Sequence, residues 1–88
     1  MATAVIPSLL RALTGGKERV SVSGCSLREV IEDLERQFPG IRAQLTEDGE
    51  LKPSIAVSID GEIATGGVLE PVGRESEIYF LPAIGGGA

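Results

Sequence analysis

The hydrophobic pattern of the chain changes period several times, and each change predicts an element. "AVIPSLLRAL" (residues 4–13) mixes β-branched residues with leucine and reads as a first strand, in which Pro7 fits only at an edge or a non-bonding position. "TGGK" then signals a turn, and "ERVSVSG" alternates Val20 and Val22 with polar residues at the strand period. The two runs predict an N-terminal hairpin. From Ser26 the period lengthens: Leu27, Val30, Ile31, Leu34 and Phe38 fall at i, i+3, i+4, i+7 and i+11, one apolar stripe along a helix. "SLRE" starts it as a capping box, with Ser26 accepting from the Glu29 amide while the Glu29 carboxylate reaches back, and Pro39-Gly40 stops it.

Beyond the helix, residues 41–52 are polar and weakly patterned, which predicts a loop with room for a short helical turn and a bend at Glu47-Asp48-Gly49. "SIAVSIDGEIAT" alternates Ile55, Val57 and Ile59 and turns at Asp60-Gly61, a dipeptide suited to a type I′ hairpin. "TGGVLEPVGRES" is broken by Gly and Pro and predicts a surface connection. "EIYFLP" is a last strand, closed by Pro82, which has no amide proton for a ladder. Consecutive hairpins flanking one amphipathic helix predict an α+β fold, a mixed sheet of about five strands covering the helix stripe. If the last strand pairs in parallel with the first, the arrangement is a β-grasp, as in ubiquitin. The domain is expected to span residues 1–82, with 83–88 as a flexible tail.

Composition narrows the function. The 88 residues suit one domain, with 42% apolar residues and few aromatics, hence an aliphatic core. A net charge of -5 with scattered Lys and Arg argues against nucleic acid and for a protein partner. The N-terminal "MATAVIPSLL" has neither the basic flank nor the apolar run of a signal peptide or membrane helix, so a cytoplasmic location is expected. Histidine is absent and Cys25 is the one cysteine, so a histidine-activated nucleophile, a histidine zinc site and an internal disulfide are all excluded. The carboxylates show no metal-loop spacing and read as solvated surface charge. Cys25 stands just before a helix start, where a thiol pKa can fall, but with no partner nearby it reads as an ordinary loop residue. No catalytic or metal-binding residue is expected.

Chemistry instead gathers at the end, "LPAIGGGA". Gly15-Gly16 and Gly66-Gly67 read as turns, whereas Gly85, Gly86 and Gly87 follow the last strand, where side-chain-free backbone can thread a narrow channel. The seven residues from Pro82 reach about 23 Å when extended, enough to enter another protein's active site. A terminal glycine carboxylate, once adenylated, offers an unhindered carbonyl to a sulfur or nitrogen nucleophile. In "EIYFL", Ile78 and Phe80 point one way and Tyr79 and Leu81 the other, so one pair can meet a partner, as can Pro82 and Ile84.

These stretches, nearly end to end, resemble the ThiS/MoaD family of ubiquitin-like sulfur carriers: "IPSLLRALTGGKERVSVSG", "SLREVIEDLERQFPGIRAQL", "GELKPSIAVSIDGEIATGG" and "LPAIGGG". The "IP-x-x-LR-x-x-TGG" opening and "LPA-x-x-GG" close are its more specific parts and favour the CysO branch. The resemblance implies a carrier that is no enzyme. An E1-like partner using ATP and magnesium adenylates the Gly87 carboxylate at the end of the Gly86-Gly87 pair, and sulfuration gives a thiocarboxylate. A PLP-dependent cysteine synthase then receives the sulfur, and a JAMM-type zinc metallopeptidase cuts after the diglycine. No cofactor is bound by the carrier itself.

One residue departs from that pattern. Ala88 comes after the diglycine and leaves no glycine carboxylate free, and the preferred expectation is that a peptidase of the same type removes it. The alternatives are an incidental added residue and a carrier that has lost its role. "GRES" from Gly73 replaces a turn common in the family. Three other functions fit the same residues: the small subunit of molybdopterin synthase, a protein modifier joined to lysines through Gly87, and a β-grasp binding module with an inert tail.

Overall fold

The computed structural model describes residues 1–82. Its strands are β1 (Ala2–Val5), β2 (Arg19–Val22), β3 (Thr46–Glu47), β4 (Glu50–Leu51), β5 (Ile55–Ile59), β6 (Glu62–Ile63) and β7 (Glu77–Pro82), and its helices are α1 (Leu27–Gln37) and α2 (Ile41–Leu45). Five strands form one sheet in the order β2-β1-β7-β5-β6, and β3-β4 form a separate hairpin. The last strand is central: β7 runs parallel to β1, with Val5 opposite Tyr79, and antiparallel to β5, with Ile55 opposite Pro82. A mixed sheet embraces one main helix, as the pattern predicts.

The α1 stripe forms the other wall of the core. Leu27, Val30, Ile31 and Leu34 are buried with Val22, Val57, Ile78 and Phe80, and each such side chain withdrawn from water contributes about 1.5–3 kcal/mol. The helix starts as predicted, with one difference. Ser26 Oγ accepts from the Glu29 amide at 3.3 Å, but the Glu29 carboxylate takes the Cys25 amide (2.8 Å), one residue before the cap. Gly24 lets the chain lie this close: a Cβ there would stand 2.8 Å from Glu29 Cβ and 2.9 Å from the Val30 nitrogen, at a φ of +149°.

Three expectations need correction. The first strand stops at Val5 rather than continuing to residue 13, because Pro7 lacks an amide proton and Ser8–Leu10 coil into a 3-10 turn. The long connection to β2 is locked internally. Arg11 donates to the Ile6 carbonyl (3.3 Å), and the buried Thr14 hydroxyl lies 2.8 Å from the Lys17 carbonyl, so the "LR-x-x-TGG" signature has a structural use.

Residues 41–52 are more ordered than a loop. Ile41 and Leu45, an i, i+4 pair, are fully buried on α2, whose first amides are capped by the Glu35 carboxylate through Gly40 (3.1 Å) and Arg42 (2.9 Å). The Arg42 amide first, then that of Gly40, holds the Glu35 pKa below its ordinary value. Asp48-Gly49 turns between β3 and β4. The connection before β7 is not purely superficial either: Val72 is buried, its amide donating to the Cys25 carbonyl at 2.9 Å. Among the described residues no helix is long and apolar enough to cross a membrane.

Candidate functional site

The end of β7 is where the structure meets the tail, and the strand is fixed there from both ends. At its start, Asp60 occupies the β5-β6 turn with Gly61; both have positive φ, as a type I′ turn requires. The Asp60 carboxylate accepts from the Glu77 amide (3.0 Å) and the Ser76 hydroxyl (2.7 Å). These two bonds, the amide contributing more, hold its pKa below the usual aspartate value. Ser76 Oγ in turn accepts from the Gly73 amide (2.9 Å), so the buried Ser76 ties the incoming connection, the turn and the strand together. At the far end the ladder continues to Pro82 opposite Ile55.

Between those anchors the strand presents two faces. Ile78 and Phe80 are buried in the core, whereas Tyr79 is half-buried and Leu81 is 40% exposed on the opposite face. The register extends that outer face across the sheet. Val5 and Ser58 flank Tyr79, Ala56 pairs with Leu81, and Ile63 pairs with Ser58 and is largely exposed. An Arg19–Glu77 ion pair (2.6 Å), half-exposed on both sides, borders the patch. It gives a mixed apolar surface beside the point where residues 83–88 begin.

Of the residues that the sequence pattern points to, Tyr79 and Leu81 therefore share one face, and the backbone of Pro82 ends the ladder. Ile84, Gly85, Gly86, Gly87 and Ala88 lie outside the described residues. Val5, Ala56 and Ile63 join the patch without any sequence signal of their own, because their membership depends on strand order and register. Cys25 is exposed, with its amide held by Glu29. Among the described residues no group of three or more His, Cys, Asp or Glu side chains could hold a metal ion.

Comparison with known proteins agrees with this architecture. A chain in the crystal structure of the Amycolatopsis orientalis BexX/CysO complex superposes with a TM-score of 0.92 at 34% identity, covering 99% of this chain and 100% of that one. Mycobacterium tuberculosis CysO superposes at a TM-score of 0.89 and 32% identity, over 96% and 100% of the two chains. Small archaeal modifier protein 1 of Methanosarcina acetivorans shares the fold, at a TM-score of 0.80 and 23% identity over 98% of this chain and 95% of that one. In sequence, the chain is 34% identical to the sulfur carrier protein CysO of M. tuberculosis, over 97% of each. Residues 5–87 match the ThiS family across the sheet, the helix and the glycine tail, and the chain belongs to that family.

Proposed function

We propose that this protein is a sulfur carrier whose working group is the carboxylate of Gly87, freed by cleavage after that residue. The supporting observation is the placement of β7: a central, doubly anchored strand ends at Pro82, five residues before Gly87, with an open apolar face beside it. The family match also extends to Gly87 and stops before Ala88.

The chemistry arises at the terminus. The Gly87 carboxylate attacks the α-phosphorus of magnesium-bound ATP on an E1-like partner, pyrophosphate leaves, and a mixed anhydride with AMP results. Sulfide then adds to the carbonyl and AMP departs, which leaves a thiocarboxylate. Glycine has no β-carbon to obstruct that attack, and Gly86 allows close passage of the partner's walls. The outer face at Tyr79 and Leu81, with Pro82 and Ile84 leading into the tail, is the docking surface. Cysteine formation is the destination favoured by the likeness to CysO proteins, with a PLP-dependent synthase as the acceptor of sulfur. A JAMM-type zinc metallopeptidase removes Ala88 and later releases the product from Gly87. The carrier acts in the cytoplasm, beside these enzymes.

Pyrophosphate exchange with a purified E1-like enzyme tests the reading. A chain ending at Gly87 should support exchange, while chains ending at Gly85 or retaining Ala88 should not. Equal exchange by all three would remove Gly87 from the chemistry.

A further inference from the structure

A groove of about 470 Å³ opens where the tail leaves the sheet. Pro7, Leu9 and Leu10 of the first turn line it together with Gln44, Lys52 and Ile55. Ile55 shares the core-facing register of β5 with Val57 and stands opposite Pro82 in the ladder, so the groove lies around the strand end from the Tyr79–Leu81 face. Leu9 is 84% exposed, more than any other large apolar residue described. The lining contains no carboxylate, and among the described residues Lys52 forms no ion pair, on a chain whose net charge is -5.

We propose that this groove is a second foothold for the enzyme that activates the tail, and that it receives a segment presenting an apolar side chain next to a carboxylate. The apolar group packs on Leu9, Leu10 and Ile55 and the carboxylate pairs with Lys52. This rests on the carrier reading above. Five residues take the chain from Pro82 to Gly87, a span of about 17 Å at full extension, so an enzyme holding the reacting carboxylate must rest against the rim from which the tail departs. That rim has two sides, the open sheet face and the groove. An apolar pocket edged by polar groups suits a buried anchor residue, and a lysine in a lining without carboxylates sets the register of an acidic partner segment.

The test uses the full chain to Gly87, ATP, and the purified E1-like enzyme of the same organism, with pyrophosphate exchange measured against carrier concentration at several salt concentrations. Leu9→Asp and Lys52→Glu should each raise KM about tenfold with kcat unchanged, the size expected for an anchor contact. Lys52→Glu should also reverse the salt dependence of KM. Leu69→Asp, at an exposed leucine elsewhere, should behave as wild type. Leu9 is exposed, so melting temperatures should match and folding does not confound the result. Unchanged KM in both groove variants, with wild type fully active, overturns the groove and leaves the carrier reading intact. A lower KM for Leu9→Asp overturns it as well, because the groove would then hold the protein's own tail or a second copy. Failure of wild type itself to be adenylated removes both proposals.

Discussion

Ile78 and Phe80 are sealed into the core with the α1 stripe, whereas Tyr79 and Leu81, one residue along in each case, look out from the face of the sheet that α1 does not cover. The two pairs have similar apolar character and the same backbone. What separates them is the two-residue alternation of a strand. Because β7 is the middle strand, its inner pair sits at the centre of the core and its outer pair at the centre of the open face. Stability rests on the inner pair and the proposed recognition on the outer pair, so the two can be tested separately on neighbouring residues.

The inner face should respond most strongly. Phe80→Ala removes a fully enclosed ring and is expected to cost about 3–5 kcal/mol in chemical denaturation, enough to unfold a large share of the protein. A loss below about 1 kcal/mol would mean that the inner face is not the stabilising one. Gly24→Ala sharpens the contrast from the helix side. One added methyl would press on the backbone at the start of α1, and a loss of about 2 kcal/mol is expected. Relief by a neighbouring shift would show as an unchanged denaturation midpoint.

The outer face should tolerate far more and still matter. Leu81→Asp is expected to change stability by less than about 0.5 kcal/mol, as surface substitutions do. The same change should raise the KM for adenylation about tenfold, equivalent to about 1.4 kcal/mol. A variant that unfolds, or one that is activated as well as wild type, would break the division between faces.

The smallest effect concerns the anchor at the start of β7. The Asp60 carboxylate is stabilised in the fold by the Glu77 amide and the Ser76 hydroxyl, so its folded pKa lies below the unfolded value. Its contribution is therefore complete above the unfolded pKa, near 3.8, and is lost as pH falls through the lower folded value. Glu35, capping α2, acts in the same direction. Asp60→Asn should flatten the fall of melting temperature in acid while leaving the curve shape near neutrality unchanged. An acid limb identical to wild type would mean that this anchor does not couple to folding.

Much of this architecture is legible in the sequence because the signals are local. The Ser26 cap, the Leu27-to-Leu34 stripe, the Asp60-Gly61 turn and the alternation in "EIYFL" each need only a few neighbouring residues. Longer-range organisation is harder to see. The burial of Ile41 and Leu45 depends on α2 meeting α1 across the Gly40 bend, and two apolar residues in a polar stretch are too few to reveal a period. Pattern alone overextends the first strand, because Leu9, Leu10 and Leu13 continue the apolar composition after Pro7 although the backbone has already coiled. Val5, Ala56 and Ile63 belong to the outer patch through the register alone. The glycine run is conspicuous for the opposite reason, as a motif of adjacent identical residues that needs no register to be seen.

If the Gly87 carboxylate carries sulfur, intact-protein mass spectrometry should detect it. The chain ending at Gly87 is incubated with its E1-like enzyme, ATP, magnesium and a sulfide source. The expected result is the mass shift of one oxygen replaced by one sulfur, located to the C-terminal peptide and absent when ATP is omitted. A mass that stays unchanged while the enzyme activates a known carrier in parallel would contradict it.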